Sequence, residues 1–172
     1  MDPAAPDPDA DDWLNSLVAR HEGPLILYAQ RLLGELARAR DVVQETFLRL
    51  CRTPREQVSG HETAWLYTVC RRAALDVRRK ERRMTLMNDQ TAATFPSSSP
   101  DPADALERSE STAEVLRMLE RLPENQKEAI TLKFGHGLSY KEIAEITGLT
   151  VSNVGFLIHS GLKTVRQRLL PV

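Results

Sequence analysis

Apolar residues recur three and four positions apart through most of the chain, which is the spacing of helices with one buried face. Val43, Phe47 and Leu50 show this spacing in a segment that runs from about residue 40 to residue 52. No long stretch alternates apolar and polar residues as a half-buried strand does, and no internal repeat is present. The pattern predicts an all-α protein made of two small helical bundles joined by a flexible linker.

Local start and stop signals divide this pattern into separate helices. Asp12 is a predicted N-cap, Gly23 is the predicted end of that first helix, and Pro24 suits the first turn of a second. The sequence Thr53-Pro54 ends a third helix, and a loop is expected at 53–61. The predicted helices are residues 12–23, 24–36, 40–52, 62–83, 113–122, 124–134, 140–147 and 151–169. In 62–83 the predicted buried stripe is Trp65, Leu66, Val69, Cys70, Ala73 and Val77.

Composition sets the expected domain boundaries. Residues 1–11 are almost entirely Pro, Ala and Asp, and residues 85–112 contain a run rich in Ser, Pro and Ala, so neither segment carries enough apolar surface to pack. We therefore expect a disordered acidic tail at 1–11, a first domain at 12–84, a flexible linker at 85–112 and a second domain at 113–172.

The net charge of −1 conceals a strong asymmetry along the chain. Residues 66–84 contain seven bases and two acids, whereas residues 1–12 contain five acids and no base. A basic helix on an otherwise balanced chain is compatible with a partner that is a polyanion such as DNA.

Several classes of protein are disfavoured by the sequence. No apolar run approaches the ~20 residues of a membrane span, and no signal-peptide pattern is present, so we expect a soluble cytoplasmic protein. Cys51 and Cys70 are too few for a disulfide framework and are expected to be small core residues. The four histidines lack metal-ligand spacing, and no phosphate-binding loop or nucleophile elbow occurs. We expect no catalytic residue, metal or cofactor, and therefore no enzyme.

The strongest local motif is a predicted helix-turn-helix. Ser139 and Glu142 have the spacing of a capping box at the start of a short helix. A small residue, Ala144, is followed four positions later by Gly148 and six positions after that by a branched apolar residue, which is the helix-turn-helix template. In DNA-binding versions the second helix enters the major groove. An ordinary helical hairpin with a glycine cap is the alternative.

Three groups of segments resemble a known family. Residues 122–130 (LPENQKEAI) and 137–144 (GLSYKEIA) resemble region 4 of bacterial RNA polymerase sigma factors. Residues 41–50 (DVVQETFLRL) resemble the core-binding helix of region 2. Residues 65–69 (WLYTV) and 71–79 (RRAALDVRR) resemble the helix that reads and melts the −10 element. With only these two regions and a short linker, the chain is similar to the extracytoplasmic-function (ECF) subfamily.

The resemblance implies a transcription initiation factor that binds core RNA polymerase through the β′ clamp and the β flap. It implies recognition of promoter DNA at the −10 and −35 elements, promoter melting, and an anti-sigma factor as a further partner. Two other functions stay open: a stand-alone helix-turn-helix regulator whose first bundle senses a ligand or dimerises, and a helical adaptor that binds only protein. The motif at 41–50 favours the initiation factor, because a free-standing repressor does not need it.

The resemblance also assigns residues to sites. The residues assigned to polymerase binding are Asp41, Gln44, Glu45 and Leu48. Those assigned to the −10 element are Arg55, Gln57, Ser59 and His61 in the loop, and Arg71, Arg72, Asp76, Arg78 and Arg79 in the helix. Those assigned to the −35 element are Ser152, Asn153, Phe156, His159 and Lys163.

Two features depart from the family pattern. Arg72 stands where many relatives have Asn, and Gly155, Leu157, Ser160 and Leu162 stand where relatives commonly have Arg or Lys. Fewer phosphate contacts weaken binding and flatten its salt dependence, so we expect a −35 contact that is weak or unusual in sequence. Near the −10 helix, the aromatic Trp65 and Tyr67 suit base stacking, although Trp65 is expected to belong to the core.

Overall fold

The computed structural model describes residues 8–87 and 110–170. The chain divides into two compact units, residues 1–98 and 99–172, and each has its own core. The first unit contains α1 (Pro8–Leu33), α2 (Leu36–Arg52), a 3₁₀ turn (Arg55–Gln57) and α3 (Glu62–Met87). The second contains α4 (Glu110–Glu120), α5 (Glu124–Ile130), a π-helical turn (Thr131–Gly135), α6 (Tyr140–Thr147) and α7 (Val151–Leu169). The predicted all-α, two-bundle fold is confirmed, and the described residues contain no strand.

In the first unit, α1, α2 and α3 pack against one another around a single core. The rings of Tyr28 and Tyr67 meet at its centre with their centroids 5.2 Å apart and tilted by 51°. Arg38 of α2 forms an ion pair with Glu81 and so ties α2 to the basic half of α3. The largest side chains of this core, all nearly inaccessible, are Leu25, Tyr28, Val43, Leu50, Val58, Leu66 and Tyr67.

The predicted break at Gly23 and Pro24 is wrong, because α1 runs through both residues without interruption. Leu17 lies before the break and Leu25 after it, and both are buried on the face that packs against α2 and α3. Burying that continuous face offsets the hydrogen bond that a proline removes from a helix interior. The helix ends instead at Gly34, whose φ of 76° is left-handed.

The α1 helix also begins earlier than predicted, because Pro8–Asp11 are helical rather than part of a disordered tail. Asp9 and Asp11 lie in its first turn, where the partial positive charge of the helix N-terminus stabilises carboxylates. The rest of the predicted tail, residues 1–7, lies outside the described residues.

The ends of the other first-unit helices differ from the predictions in a similar way. Helix α2 begins at Leu36 rather than near residue 40, and α3 continues to Met87. Together with the start of α4 at Glu110, this shortens the predicted linker at both ends, because no helix-breaking residue occurs in the added turns. Residues 88–109 of the linker lie outside the described residues.

The buried stripe of α3 is rotated from the predicted one. Tyr67 and Ala74 are buried beside Cys70, whereas Trp65 is only half-buried. Both α1 and α2 contact α3, so the face that they cover together differs from the one that the apolar spacing alone predicts. The expectation for Cys51 is also wrong, since its side chain is exposed on α2.

The second unit is built around α7, which packs against α4, α5 and α6. The close approach of α5 and α7 depends on Gly161, because a Cβ there would lie 2.6 Å from Cδ1 of Ile130. The predicted helix 124–134 is divided, since α5 ends at Ile130 and a π-helical turn continues to Gly135. The core of this unit consists of Leu122, Ala129, Ile130, Leu132, Leu138, Ile143, Ile146, Val154, Leu157, Ile158 and Val165.

Candidate nucleic-acid and protein interfaces

Between residues 40 and 49 the outer face of α2 is polar apart from one leucine. Asp41 and Gln44 are exposed, and Leu48 is 44% exposed although it is a large apolar residue. Glu45 is half-buried and accepts a hydrogen bond from Nε of Arg49 at 3.1 Å. The opposite face provides Val42, Val43, Thr46 and Leu50 to the core, with Phe47 half-buried at its edge. The four residues predicted to bind polymerase therefore lie together on the face of α2 that is not used for packing.

The segment between α2 and α3 is anchored by its backbone and by one apolar side chain. Val58 is completely buried, and the N–H of Ser59 donates to the carbonyl oxygen of Arg55 at 2.8 Å. Gly60 has a φ of 87°, which only glycine adopts without strain, and it allows the chain to turn into α3. The four predicted −10 side chains of this loop, Arg55, Gln57, Ser59 and His61, are all exposed.

A contact between α1 and this loop was not predicted from the sequence. The guanidinium of Arg55 lies over the ring of Trp13, with Cζ 5.1 Å from the ring centroid. Nη1 of Arg55 lies 3.4 Å from Oδ2 of Asp9. The Trp13 side chain also hydrogen bonds to Glu62, and this bond adds to the backbone hydrogen bonds that chiefly lower the pKa of that carboxyl. No sequence signal pairs these residues, because α2 separates Trp13 from the loop.

The basic half of α3 presents its charges unequally. Arg72 and Arg79 are exposed, while Arg71 and Arg78 are half-buried. Asp76 is exposed, and its Oδ1 lies 3.4 Å from Nη1 of Arg79. The predicted −10 residues of the helix are therefore accessible to different degrees, and two of them form an ion pair with each other.

The role suggested for Tyr67 in base stacking is wrong. Its side chain is 2% exposed and packs on Tyr28 in the core. Burial raises the pKa of Tyr67 above its ordinary value, and it raises the pKa of the neighbouring Cys70 thiol to about 12. Both groups are neutral at physiological pH and belong to the core, which leaves the half-buried Trp65 as the more accessible aromatic residue of this segment.

The second unit contains the predicted helix-turn-helix. The hydroxyl of Ser139 accepts from the N–H of Glu142 at 3.2 Å, and the Glu142 carboxylate accepts from the N–H of Ser139 at 2.8 Å. Gly148 has a φ of 73°, and its N–H donates to the carbonyl of Ala144, which ends α6. Thr150 then caps α7 by accepting from the N–H of Asn153 at 3.1 Å. Local capping thus sets the angle at which α7 leaves the turn.

The first two thirds of α7 carry no charged side chain, and its exposed bases begin at Lys163. Residues 146–162 contain no Asp, Glu, Lys or Arg, and Phe156 is 66% exposed. One position where the family commonly has a base is used for packing, since Leu157 is buried. At another, a Cβ added to Gly155 would make ordinary contact with the ring of Tyr140, 3.5 Å away. The predicted −35 residues all lie on the exposed side; they are Ser152, Asn153, Phe156, His159 and Lys163.

Neither a metal-binding cluster nor a membrane-spanning helix is found in the described part of the chain. Within 8–87 and 110–170 no group of three or more His, Cys, Asp or Glu is placed to hold a metal ion. Among the helices of the described part of the chain, none is both long enough and apolar enough to cross a membrane.

His21 is buried, its Nε2 has no hydrogen-bond partner, and burial is the main cause of its lowered pKa.

Protein-family models match both units of the chain. Residues 17–84 match Sigma-70 region 2, and residues 112–165 match Sigma-70, region 4. Among curated proteins, the ECF RNA polymerase sigma factor SigL of Mycobacterium tuberculosis is 31% identical over 89% of this chain and 86% of its own length. SigM of Bacillus subtilis is 32% identical over 76% of this chain and 77% of its own length. SigE of Mycolicibacterium smegmatis is 30% identical, and the match spans 90% of this chain but only 61% of SigE.

Solved structures show the same fold. The sigma factor RpoE of Bartonella quintana, in complex with the anti-sigma factor NepR, matches with a TM-score of 0.70 at 23% identity, over 94% of this chain and 98% of its own. CnrH, in complex with the cytosolic domain of CnrY, matches with a TM-score of 0.60 at 23% identity, over 91% and 86%. The two family matches and the relatives matched over most of their length show that this chain belongs to the ECF sigma factors of RNA polymerase, which are transcription initiation factors that direct the enzyme to promoters.

Proposed function

We propose that this chain directs core RNA polymerase to its promoters through three surfaces, two on the first unit and one on the second. The observation that carries the proposal is that regions 2 and 4 occur in order on one chain, each with exposed residues at the family's contact positions. Polymerase supplies the catalysis, and this chain supplies no reaction of its own. We further propose that it acts in the cytoplasm, where its polymerase and DNA partners are located.

The polymerase-binding surface of the proposal is the outer face of α2, formed by Asp41, Gln44, Glu45 and Leu48. Leu48 supports this role because a leucine that is 44% exposed among polar side chains provides apolar area for a protein partner. In this proposal the α2 face binds the β′ clamp, and the second unit binds the β flap.

The −10 surface of the proposal combines the loop at 53–61 with the basic half of α3. The anchored loop supports base selection, because its polar side chains project from a backbone held by Val58. The arginines of α3 support phosphate binding and the capture of melted single strands. The domain boundaries 12–84 and 113–172 belong to the same proposal, one domain for each promoter element.

The −35 surface of the proposal is the exposed face of α7. Because residues 146–162 lack charge, recognition here relies on hydrogen bonds from Ser152, Asn153 and His159 and on apolar contact from Phe156. Phenylalanine suits the methyl group of thymine in the major groove. Phosphate contacts in this unit come from Lys163 and from the bases near the C-terminal end of α7.

An anti-sigma factor completes the proposed partners. RpoE of Bartonella quintana is in complex with an anti-sigma factor, and CnrH with the cytosolic domain of CnrY. Their fold is shared by this chain, and the same kind of control is proposed for it.

Run-off transcription tests the proposed function. Purified core polymerase is mixed with the full chain and a pool of genomic fragments, and core polymerase alone is the control. Specific transcripts that require the chain are the expected result. DNA binding by the chain alone, without any transcript from the pool, would favour the stand-alone regulator.

A further inference from the structure

The first turns of α1 contact the loop that is proposed to select −10 bases. Trp13 reaches both ends of that loop, since its ring lies under Arg55 and its side chain hydrogen bonds to Glu62. Asp9, one turn earlier on α1, forms an ion pair with the same arginine. Arg55 therefore has two partners on one helix, a carboxylate and an aromatic ring.

Asp9 and Trp13 contact the guanidinium of Arg55 in chemically different ways. An arginine binds phosphate or carboxylate through the N–H donors at the edge of its guanidinium, while aromatic rings stack on its face. Asp9 takes an edge donor, Nη1, whereas the ring of Trp13 lies under the guanidinium carbon, Cζ. A DNA phosphate therefore competes with the Asp9 carboxylate for an N–H donor of Arg55.

The exposure of the ion pair makes this competition possible. The side chain of Arg55 is 45% exposed and that of Asp9 is 84% exposed, so solvent and a ligand reach both groups. Asp9 also belongs to the segment 1–12, which contains five acids and no base. The first turn of α1 thus presents to the loop the same sign of charge as the DNA backbone.

We propose that the acidic first turn of α1 is an intramolecular gate on the −10 loop. In the free protein the Asp9 carboxylate occupies the edge of the Arg55 guanidinium, and a promoter phosphate displaces it on binding. Trp13 keeps its ring against the guanidinium in both states and so positions Arg55. This inference rests on the −10 role proposed above for Arg55.

The expected size of the effect follows from the exposure of the pair. Exposed ion pairs shift an equilibrium by no more than about fivefold, and salt screens them. The gate is therefore an adjustment of promoter affinity that is greatest at low ionic strength, and it does not block binding.

The test uses holoenzyme assembled from core polymerase and the full chain. The probe is a promoter fragment that the wild-type holoenzyme selects from a pool of genomic fragments. Asp9→Asn is compared with Asp11→Asn, which removes the same charge from an exposed residue of the same turn. Asp9→Asn is expected to tighten binding about two- to fivefold at low salt. Asp11→Asn is expected to give less than half of that gain.

An Arg55→Gln background provides the decisive comparison. If the gate acts through Arg55, the extra gain from Asp9→Asn disappears in that background and at high salt. Equal gains from the two aspartate variants would reduce the effect to general charge repulsion and overturn the gate. Weaker binding by Asp9→Asn would also overturn it, because Asp9 would then help Arg55 to bind DNA.

A separate result shows whether Arg55 contacts the −10 element at all. Holoenzyme with Arg55→Gln alone is expected to bind the fragment more weakly than wild type. Unchanged affinity for that variant would remove Arg55 from the −10 interface. Thermal unfolding followed by circular dichroism shows whether every variant retains the wild-type fold.

Discussion

At the scale of single residues, the described part of the first unit contains a buried histidine, His21, with a ring nitrogen that has no hydrogen-bond partner. His21 is 7% exposed, and its Nε2 has no partner. Burial lowers its pKa below the ordinary value of 6.5, Arg20 lowers it further, and Glu62 partly opposes both. The folded state therefore favours the neutral imidazole, while the unfolded chain takes up a proton near pH 6.5.

The pH dependence of stability follows from this difference. Stability that depends on neutral His21 is fully present above pH 6.5 and decreases as the pH falls below that value toward the folded-state pKa. Urea unfolding of the full chain between pH 7.5 and 5 measures the decrease, which His21→Gln is expected to reduce. His61→Gln, at an exposed histidine of the same unit, is the control and is expected to retain it. Equal pH profiles for wild type and His21→Gln would contradict the prediction.

Phe156 gives a second prediction at this scale. Replacing thymine by uracil at single positions of the −35 element removes only the methyl group, and contact with Phe156 is expected to make one such replacement cost about fourfold in holoenzyme affinity. Phe156→Ala is expected to abolish that sensitivity. Phe134→Ala, at a phenylalanine of similar exposure (64% against 66%) outside α7, is expected to preserve it. Holoenzyme binding is measured on the substituted fragments. If no thymine-to-uracil replacement has an effect that disappears in Phe156→Ala, the proposed contact is contradicted.

At the scale of helices, α2 uses opposite faces for folding and for its proposed partner. The inner face is buried, so substitutions on the outer face are expected to spare the fold. Gln44→Ala, Glu45→Ala and Leu48→Ala combined are expected to weaken the complex with core polymerase while preserving helicity. Co-purification measures the first effect and circular dichroism the second. Undiminished co-purification would remove this face as the docking surface.

Two helical glycines give opposite predictions about packing. Gly161→Ala places a methyl group against Ile130 of α5, and overpacking is expected to outweigh the helix propensity of alanine and to destabilise the second unit by less than about 2 kcal/mol. Gly23→Ala meets no atom within 4 Å in α1 and is expected to stabilise the first unit by about 0.5–1 kcal/mol. Amide hydrogen exchange of the full chain reports each unit separately. Lower protection in Gly23→Ala, or higher protection in Gly161→Ala, would contradict the packing described above.

At the scale of the whole molecule, the basic residues are concentrated in region 2, and the recognition helix of region 4 carries its bases only in its C-terminal third. The segment 66–84 contains seven bases, whereas α7 has none before Lys163. Electrostatic affinity for the promoter is therefore expected to reside mainly in the first unit.

The salt dependence of promoter binding measures how the electrostatic affinity is divided between the two units. Arg78→Glu combined with Arg79→Glu is expected to weaken holoenzyme binding and to flatten the log–log salt slope by about one to two units, since each phosphate contact contributes slightly less than one. Lys163→Ala is expected to change the slope by less than one unit. Binding of one promoter fragment at several salt concentrations gives both slopes. A dominant effect of Lys163 with normal binding by the double variant would contradict the division.

The sequence alone determined the features that depend on neighbouring residues. The bounds of α6 and α7 were predicted because Ser139, Gly148 and the apolar spacing specify them within a few residues. The exposed face of α2 was predicted because helical periodicity separates its two sides. The family could also be identified, because short motifs of regions 2 and 4 occur in the right order.

Only the tertiary structure decided the features that depend on distant residues. Packing against α2 and α3 keeps α1 helical through Gly23 and Pro24, where local signals predicted the end of a helix. The same packing turned Tyr67 into the core and left Trp65 half-buried, because both helices contact α3. The meeting of Trp13 and Asp9 with Arg55 joins residues that are more than 40 positions apart. Periodicity shows which side of a helix is apolar, but the position of a neighbouring helix decides what that side contacts.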